Sequence, residues 1–126
     1  MRAIGILLTL FFAHFIGDFV FQSRDMAENK SKHLGTLMQH CFIVYLTLFL
    51  AAHFIGLETT VAIKFALLNA VLHGLIDANI WKLCARRMKE KGQTFRYWKD
   101  YWFYTTIGFD QFLHVSIMFL VLMAVI

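Results

Sequence analysis

Long apolar stretches dominate the chain, and two short polar segments separate them. The stretches cover residues 2–22, 36–56, 60–83 and 102–126, and each is long enough for the roughly 20 residues that cross a bilayer as a helix. No proline interrupts them, and the third continues as a charged helix. The pattern predicts an all-α membrane protein with a single transmembrane domain over residues 1–126. We expect a four-transmembrane-helix bundle with helices at about 2–22, 36–56, 60–91 and 102–126.

Local signals add detail to this bundle. Small residues recur at every fourth position of the first span, ending at Gly17, and of the third span, around Gly74. Because such spacing lets membrane helices approach closely, we expect the first and third spans to pack tightly against each other. In the first polar connection, Ser23 is placed to cap a short surface helix, which Gly35 would end.

Composition also favours a membrane protein, and the distribution of charge predicts its orientation in the membrane. Hydrophobic residues make up 60% of the chain and aromatic residues 17%, well above what a soluble domain needs. Ten of the twelve lysines and arginines lie in or beside the two polar connections, and only Arg2 and Lys64 do not. The positive-inside rule therefore places both connections in the cytoplasm and both termini outside, in an inner membrane. Topology and anionic membrane lipid account for the net charge of +4, so no nucleic-acid partner is expected.

Three aspartates lie within the apolar stretches, where each charged side chain costs about 2.5–3.5 kcal/mol. Each aspartate is four residues from a histidine, which puts both side chains on one face of a helix. The pairs are His14–Asp18, His73–Asp77 and Asp110–His114. The order is reversed in the last pair, where the helix also runs in the opposite direction. All three aspartates should therefore lie nearer the cytoplasm, with the three histidines one turn deeper.

Two more histidines lie on the second span. His40 is about one turn inside its cytoplasmic start, so we expect it near the aspartates. His53 lies thirteen residues further along, which is about 20 Å of helix rise. We therefore exclude His53 from the site and expect it at the membrane interface.

Imidazole and carboxylate groups together suit a divalent metal, and we expect one or two ions of Zn, Mn or Fe. The alternative for any one pair is that histidine and aspartate simply bond to each other and hold helices together. Agreement in depth among three pairs favours metal or proton chemistry instead. The candidate metal ligands are His14, Asp18, His40, His73, Asp77, Asp110 and His114. Gln22, Asn69 and Gln111 are expected to orient ligands or water.

Several strings resemble a family of small integral membrane proteins of bacteria and their phages that is classed as a domain of unknown function. They are AHFIGDFVFQ, MAENKSK, HGLID and DQFLH, together with the isolated His40. The resemblance covers essentially the whole chain. This family is distantly similar to inner-membrane proteins described as membrane-bound metal-dependent hydrolases, which implies metal-site or catalytic roles for the same seven residues. It also implies signature positions at Asn29 and Lys30 on the cytoplasmic rim, for which a solvated helix is an equal alternative.

These features lead us to expect a metal-dependent hydrolase that acts at the cytoplasmic leaflet on a lipid or a phosphate-containing substrate. Asp18 or Asp110 would be the catalytic general base. Arg24, Asn29, Lys30 and Lys99 would form a rim for a headgroup or phosphate.

Two other classes of function remain open. Intramembrane histidines and carboxylates also mark ion pathways, so an ion or metal transporter is the first alternative, and four helices would then have to form a homo-oligomer. The outer half offers only His53 and Glu58 for such a path, which favours the hydrolase. The second alternative is a non-enzymatic bacterial or phage membrane module with a structural metal site.

Overall fold

In the computed structural model, which describes residues 3–90 and 101–126, the chain is helical and contains no strand within these ranges. The helices are α1 (Ala3–Phe15, continuing into a π-helical turn at Ile16–Val20), α2 (Arg24–Asn29), α3 (Leu34–Phe54), α4 (Thr59–Glu90) and α5 (Tyr101–Val125). Four of them are long and apolar enough to cross a membrane: α1 with its π turn, α3, α4 and α5. Their bounds lie close to the four apolar stretches of the sequence.

The long helices pack in a different order from the predicted one. Helix α3 packs on α1 and on α4, and α4 packs in turn on α5. The predicted close pairing of α1 with α4 is wrong, because Gly17 of the π turn and Gly74 of α4 both face α3. A Cβ at Gly17 would lie 2.5 Å from Thr47 Oγ1 of α3, and a Cβ at Gly74 would lie 2.8 Å from Cys41 Sγ of α3. The small residues thus permit two separate close contacts with the same central helix.

The connection between α1 and α3 contains the short helix α2. Its predicted cap is confirmed, since the Ser23 hydroxyl accepts a hydrogen bond from the Met26 N–H. Its predicted end at Gly35 is wrong. The helix ends at Asn29, whose carbonyl accepts hydrogen bonds from two following N–H groups in a tight turn, and Gly35 lies in the first turn of α3.

Apolar and polar groups occupy opposite ends of the bundle interior. The apolar core includes Leu10, Leu48, Phe65 and Met118, which are buried where the helices lie farthest from α2. The other end contains the histidines and aspartates. Large apolar side chains such as Phe112, which is 65% exposed, point outward, as expected for a surface in contact with lipid.

Candidate metal centre and adjoining cavity

Five segments bring the intramembrane histidines and aspartates together. Helix α1 and its π turn contribute one pair, α3 contributes His40, and α4 and α5 contribute one pair each. Asp18 lies within the π turn, where the Phe21 N–H bonds to the Ile16 carbonyl; such turns are frequent at functional sites. Every one of the seven predicted ligand residues is buried. They are His14, Asp18, His40, His73, Asp77, Asp110 and His114.

Four donor atoms converge at the centre of this cluster: Asp18 Oδ1, His40 Nε2, His73 Nε2 and Asp77 Oδ2. His40 Nε2 lies 2.9 Å from His73 Nε2, 3.1 Å from Asp18 Oδ1 and 3.2 Å from Asp77 Oδ2. His73 Nε2 lies 3.1 Å from Asp77 Oδ2 and 3.5 Å from Asp18 Oδ1. Donors of a tetrahedral zinc site with bonds of about 2.0–2.1 Å are separated by about 3.3–3.4 Å. The separations of 2.9–3.5 Å lie around this value, so the four residues could hold a divalent ion.

Two further histidines of the cluster, His14 and His114, lie next to this group. The His73 and His114 rings stack with centroids 3.8 Å apart, and the His14 ring lies 5.5 Å from His114. Two further sets of potential ligands result, namely His14 with Asp18 and His114, and Asp77 with Asp110 and His114. Asp18 and Asp77 each belong to two sets. The arrangement could therefore hold two ions that share a carboxylate.

Lys30 lies inside the cluster and not on the rim, where it was predicted from the sequence. Its side chain is buried, and its Nζ lies 2.9 Å from Asp77 Oδ2, 3.4 Å from Asp18 Oδ1 and 3.3 Å from His40 Nε2. Burial alone would lower the pKa of Lys30, but the carboxylates of Asp77 and Asp18 outweigh it, so the pKa is raised above its ordinary value. The ammonium is thus an internal counter-charge for the two aspartates, and a metal ion would compete with it for the same donors.

Unpartnered atoms in the cluster support its suitability for a cation. Among the described residues, several buried nitrogen and oxygen atoms have no hydrogen-bond partner, although such atoms are normally satisfied. Within the cluster they include Asp77 Oδ1, Asp110 Oδ1 and both ring nitrogens of His114. A divalent ion accepts electron pairs from carboxylate oxygen and imidazole nitrogen, so the donor set fits such an ion.

Of the three residues expected to orient ligands, Gln111 contacts the cluster directly. Its Nε2 donates to Asp18 Oδ2 at 2.7 Å, and its Oε1 lies 3.2 Å from His14 Nε2. Asn69 lines a small void beside the histidines, but its amide donates to the Phe65 carbonyl of its own helix. Gln22 lies further out, and its buried Oε1 has no hydrogen-bond partner in the described part of the chain.

The other residues expected on the rim lie away from the cluster or outside the described ranges. Arg24 is exposed and pairs with Glu28 at 2.8 Å, which raises the pKa of its guanidinium. Asn29 donates a hydrogen bond to Asp25 of the same helix. Lys99 lies outside residues 3–90 and 101–126, so its position relative to the cluster is a prediction only.

A cavity of about 330 Å³ opens next to the cluster. Asp18, Lys30, Asp110 and Gln111 line it on the cluster side, together with Gln22. The remaining wall is largely apolar and is formed by Phe19, Trp81, Phe103 and Ile107, and α2 borders the cavity with Ala27 and Glu28. Since Phe19, Ala27 and Glu28 are exposed, the cavity gives access to the cluster from the molecular surface.

A family model matches residues 6–126, which contain every residue of the cluster and of the cavity wall. The chain belongs to the DUF3307 family. This family is described as a protein of unknown function, in agreement with the resemblance seen in the sequence. No curated protein and no solved structure matches the chain.

Two features of this DUF3307 protein were not predicted. One is the contact of Lys30 with the cluster: the family resemblance marks Lys30 as a signature position, but it implied a place on the rim and not burial among the ligands. The cavity wall combines Phe19, Trp81 and Phe103 from three separate segments. Such aromatic residues read as lipid-facing or interfacial in a sequence, because only the packing of the helices shows which of them surround a common space.

Proposed function

We propose that this protein is a membrane-embedded, metal-dependent hydrolase whose substrate is a lipid of the leaflet that meets the α2 end of the bundle. The observation that carries the proposal is the set of four converging donors beside an accessible cavity. Asp18, His40, His73 and Asp77 would hold the first ion, of which Zn, Mn and Fe are the best matches to nitrogen and oxygen donors. Asp110 and His114 would complete a second position. When bound, such an ion polarises an ester or phosphoryl oxygen and activates water.

When only the first position, at Asp18, His40, His73 and Asp77, holds an ion, Asp110 would be free of metal and is better placed than Asp18 to act as general base. Both oxygens of Asp18 are engaged, one by His40 and Lys30 and the other by Gln111. Within the described ranges, Asp110 Oδ1 has no hydrogen-bond partner, and its residue lines the cavity. A carboxylate with an unengaged oxygen beside the substrate space can accept a proton from water held there. Gln111 would keep Asp18 and His14 in position through its two hydrogen bonds.

The distribution of polar groups supports hydrolysis over transport. An ion path across the bundle needs polar side chains along its whole length. Beyond the histidines, the interior is filled by the apolar core that includes Leu10, Leu48 and Phe65. Within the described part of the bundle, the polar cluster therefore does not extend through to the opposite end. This is expected for an active site that is reached from one side of the membrane only.

The test is metal loading combined with turnover. Purified protein should retain Zn, Mn or Fe stoichiometrically after reconstitution, and it should release a soluble product from phospholipid vesicles. Asp110→Asn should abolish release while leaving helicity intact, whereas Asp25→Asn, an exposed carboxylate on α2, should behave as the parent protein. Failure to bind any of the three metals would refute the proposal. Metal binding without turnover on phospholipid esters would instead indicate a structural ion.

A further inference from the structure

A second cavity lies between α4 and α5, and among the described residues it shares none of its lining with the cavity beside the cluster. Its volume is about 250 Å³, and we call it the α4–α5 groove. Ile80, Leu83 and Arg87 of α4 line it together with Trp102 and Phe109 of α5. No described member of the three sets of potential ligands lies in its wall, so the proposed hydrolase site leaves the groove unused.

Contacts between α4 and α5 fix the direction of the groove. Thr106 donates a hydrogen bond to Cys84 Sγ at 3.1 Å, and His114 Nε2 lies 3.9 Å from Asp77 Oδ1. Since the residue number rises along α5 while it falls along α4, the two helices are antiparallel. Arg87, which follows Cys84, therefore lies towards the end of the groove where α4 ends and α5 begins.

The groove is charged at this end and apolar at the other. Trp102, at the start of α5, lies on the side of Arg87, whereas Ile80 and Phe109 lie on the opposite side. Residues 80 and 87 are separated by about 10 Å of helix rise. Ile80 and Leu83 belong to the apolar stretch 60–83, and Arg87 lies just beyond its end, where a basic side chain reaches the lipid headgroups. This polarity matches that of a membrane lipid.

The charge in the groove restricts the headgroup. Arg87 is the one charged side chain among the described lining residues, and it is exposed. In residues 3–90 and 101–126, Arg24 is the only arginine that pairs with a carboxylate, so Arg87 has no counter-charge within these ranges. No acidic side chain of the described wall is present to receive an ammonium group. The groove therefore suits an anion that carries no cation of its own.

We propose that the α4–α5 groove binds an anionic phospholipid, with the phosphate on the Arg87 guanidinium and one acyl chain along the groove towards Ile80 and Phe109. A guanidinium donates two parallel hydrogen bonds to a phosphate. Free inorganic phosphate would leave the apolar wall uncovered, and a zwitterionic headgroup would bring an ammonium without a partner. Because the groove is separate from the proposed catalytic cavity, the lipid bound there is retained and is not the substrate.

Lipid retention measured by native mass spectrometry tests this inference. Purified protein is mixed with equal amounts of phosphatidylglycerol and phosphatidylcholine that carry identical acyl chains. Phosphatidylglycerol should be retained roughly tenfold more, and Arg87→Gln should remove most of this preference. Arg86→Gln, the same change at an exposed neighbour that does not line the groove, should leave it in place. Equal retention of the two lipids, or an equal effect of the two variants, overturns the inference.

Filling the groove tests the position of the acyl chain. Thr105 lines the groove, is exposed, and bonds only to a carbonyl of its own helix through its hydroxyl, so Thr105→Trp should fill the space and leave the fold intact. We expect it to lower the retention of phosphatidylglycerol, whereas Leu120→Trp, at an exposed position elsewhere on α5, should not. Circular dichroism checks the helicity of both variants. Undiminished retention in folded Thr105→Trp overturns the inference, and since no potential ligand lines the groove, this result leaves the hydrolase proposal untouched.

Discussion

Asp77 is fully buried and lies within 3.2 Å of Lys30, His40 and His73. A carboxylate in such a place is tolerated only because positive or polar partners surround it. Removing one member of a buried ion pair typically costs about 3–5 kcal/mol, because the other charge is left uncompensated. The stability of the metal-free protein should therefore depend on the pair of Asp77 and Lys30 more than on either residue alone.

A double-mutant cycle measures this coupling. We predict that Asp77→Asn lowers the unfolding free energy of the metal-free protein by about 3–5 kcal/mol, and that Lys30→Met added to Asp77→Asn restores part of the loss. Denaturant unfolding in detergent, followed by circular dichroism, gives the four free energies. Additive losses would show that the two groups do not interact.

The position of Lys30 also leads to a prediction about metal affinity. Its ammonium contacts three of the four central donors, so an incoming ion must displace it or bind against its charge. We predict that Lys30→Met raises the affinity for zinc by about tenfold or more, because charge repulsion at such distances amounts to several kcal/mol. Isothermal titration of metal-free protein provides the measurement. Lys32→Met, an exposed neighbour, is the control, and a weaker affinity in Lys30→Met would contradict the competition.

At the scale of the helices, the close approach of α1 to α3 positions Asp18. Gly17 is buried next to Asp18, and a Cβ there would meet Thr47 Oγ1 at 2.5 Å and the Val44 Cα at 3.4 Å. The π turn and this glycine together bring the Asp18 carboxylate within 3.1 Å of His40. A side chain at Gly17 should therefore disturb both the packing and the metal centre.

We predict that Gly17→Ala destabilises the protein by about 1–3 kcal/mol and weakens metal binding. Thr47→Ala should rescue the variant, because it removes the nearest atom in the way. Gly108→Ala provides the control, since among the described residues no atom outside the neighbouring turns of its own helix lies within 4 Å of a Cβ built at Gly108. Thermal unfolding in detergent is the measurement. An equal effect of the two glycine substitutions would show that the contact with α3 is unimportant.

The positions of the histidines and aspartates along the helices could be predicted from the sequence. The spacing of four within His14–Asp18, His73–Asp77 and Asp110–His114 follows from helix geometry, and the reversed order of the last pair follows from helix direction. The helix that packs against each of these faces could not be predicted, because the spacing of small residues identifies a close-packing face but not the helix that packs on it. Gly17 and Gly74 therefore suggested that α1 and α4 contact each other, although both glycines face α3.

The contact of Lys30 with the cluster could not be predicted either, because it depends on how the helices pack. A lysine within a predicted surface helix is ordinarily solvated. Only the end of α2 at Asn29, the tight turn that follows it and the packing of α2 on α3 bring the Lys30 side chain into the cluster. His40 was easier to place, because it is an isolated polar residue within an apolar helix and its depth follows from helix rise.

For the whole molecule, the candidate metal centre lies towards the end of the bundle that holds the α1–α3 connection with α2. The α3–α4 connection lies at the opposite end. Ten of the twelve lysines and arginines lie in or beside the two polar connections of the sequence, so the positive-inside rule predicts that the end with the α1–α3 connection faces the cytoplasm. The proposed substrate would then be a lipid of the cytoplasmic leaflet.

Single cysteines test this orientation. In a chain whose Cys41 and Cys84 are replaced by alanine, we predict that Glu58→Cys reacts with a membrane-impermeant thiol reagent added to intact cells. Lys32→Cys should react only after the membrane is opened. Both positions are exposed, so accessibility within the protein does not differ. The opposite labelling pattern would place the metal centre on the outer side.

X-ray absorption at the zinc edge of zinc-loaded protein tests the central claim, a metal ion held by Asp18, His40, His73 and Asp77, most directly. We predict nitrogen and oxygen neighbours at about 2.0–2.1 Å, with outer-shell scattering from imidazole that decreases in His40→Gln. No stoichiometric zinc, sulfur neighbours at about 2.3 Å, or a spectrum unchanged by His40→Gln would contradict the claim.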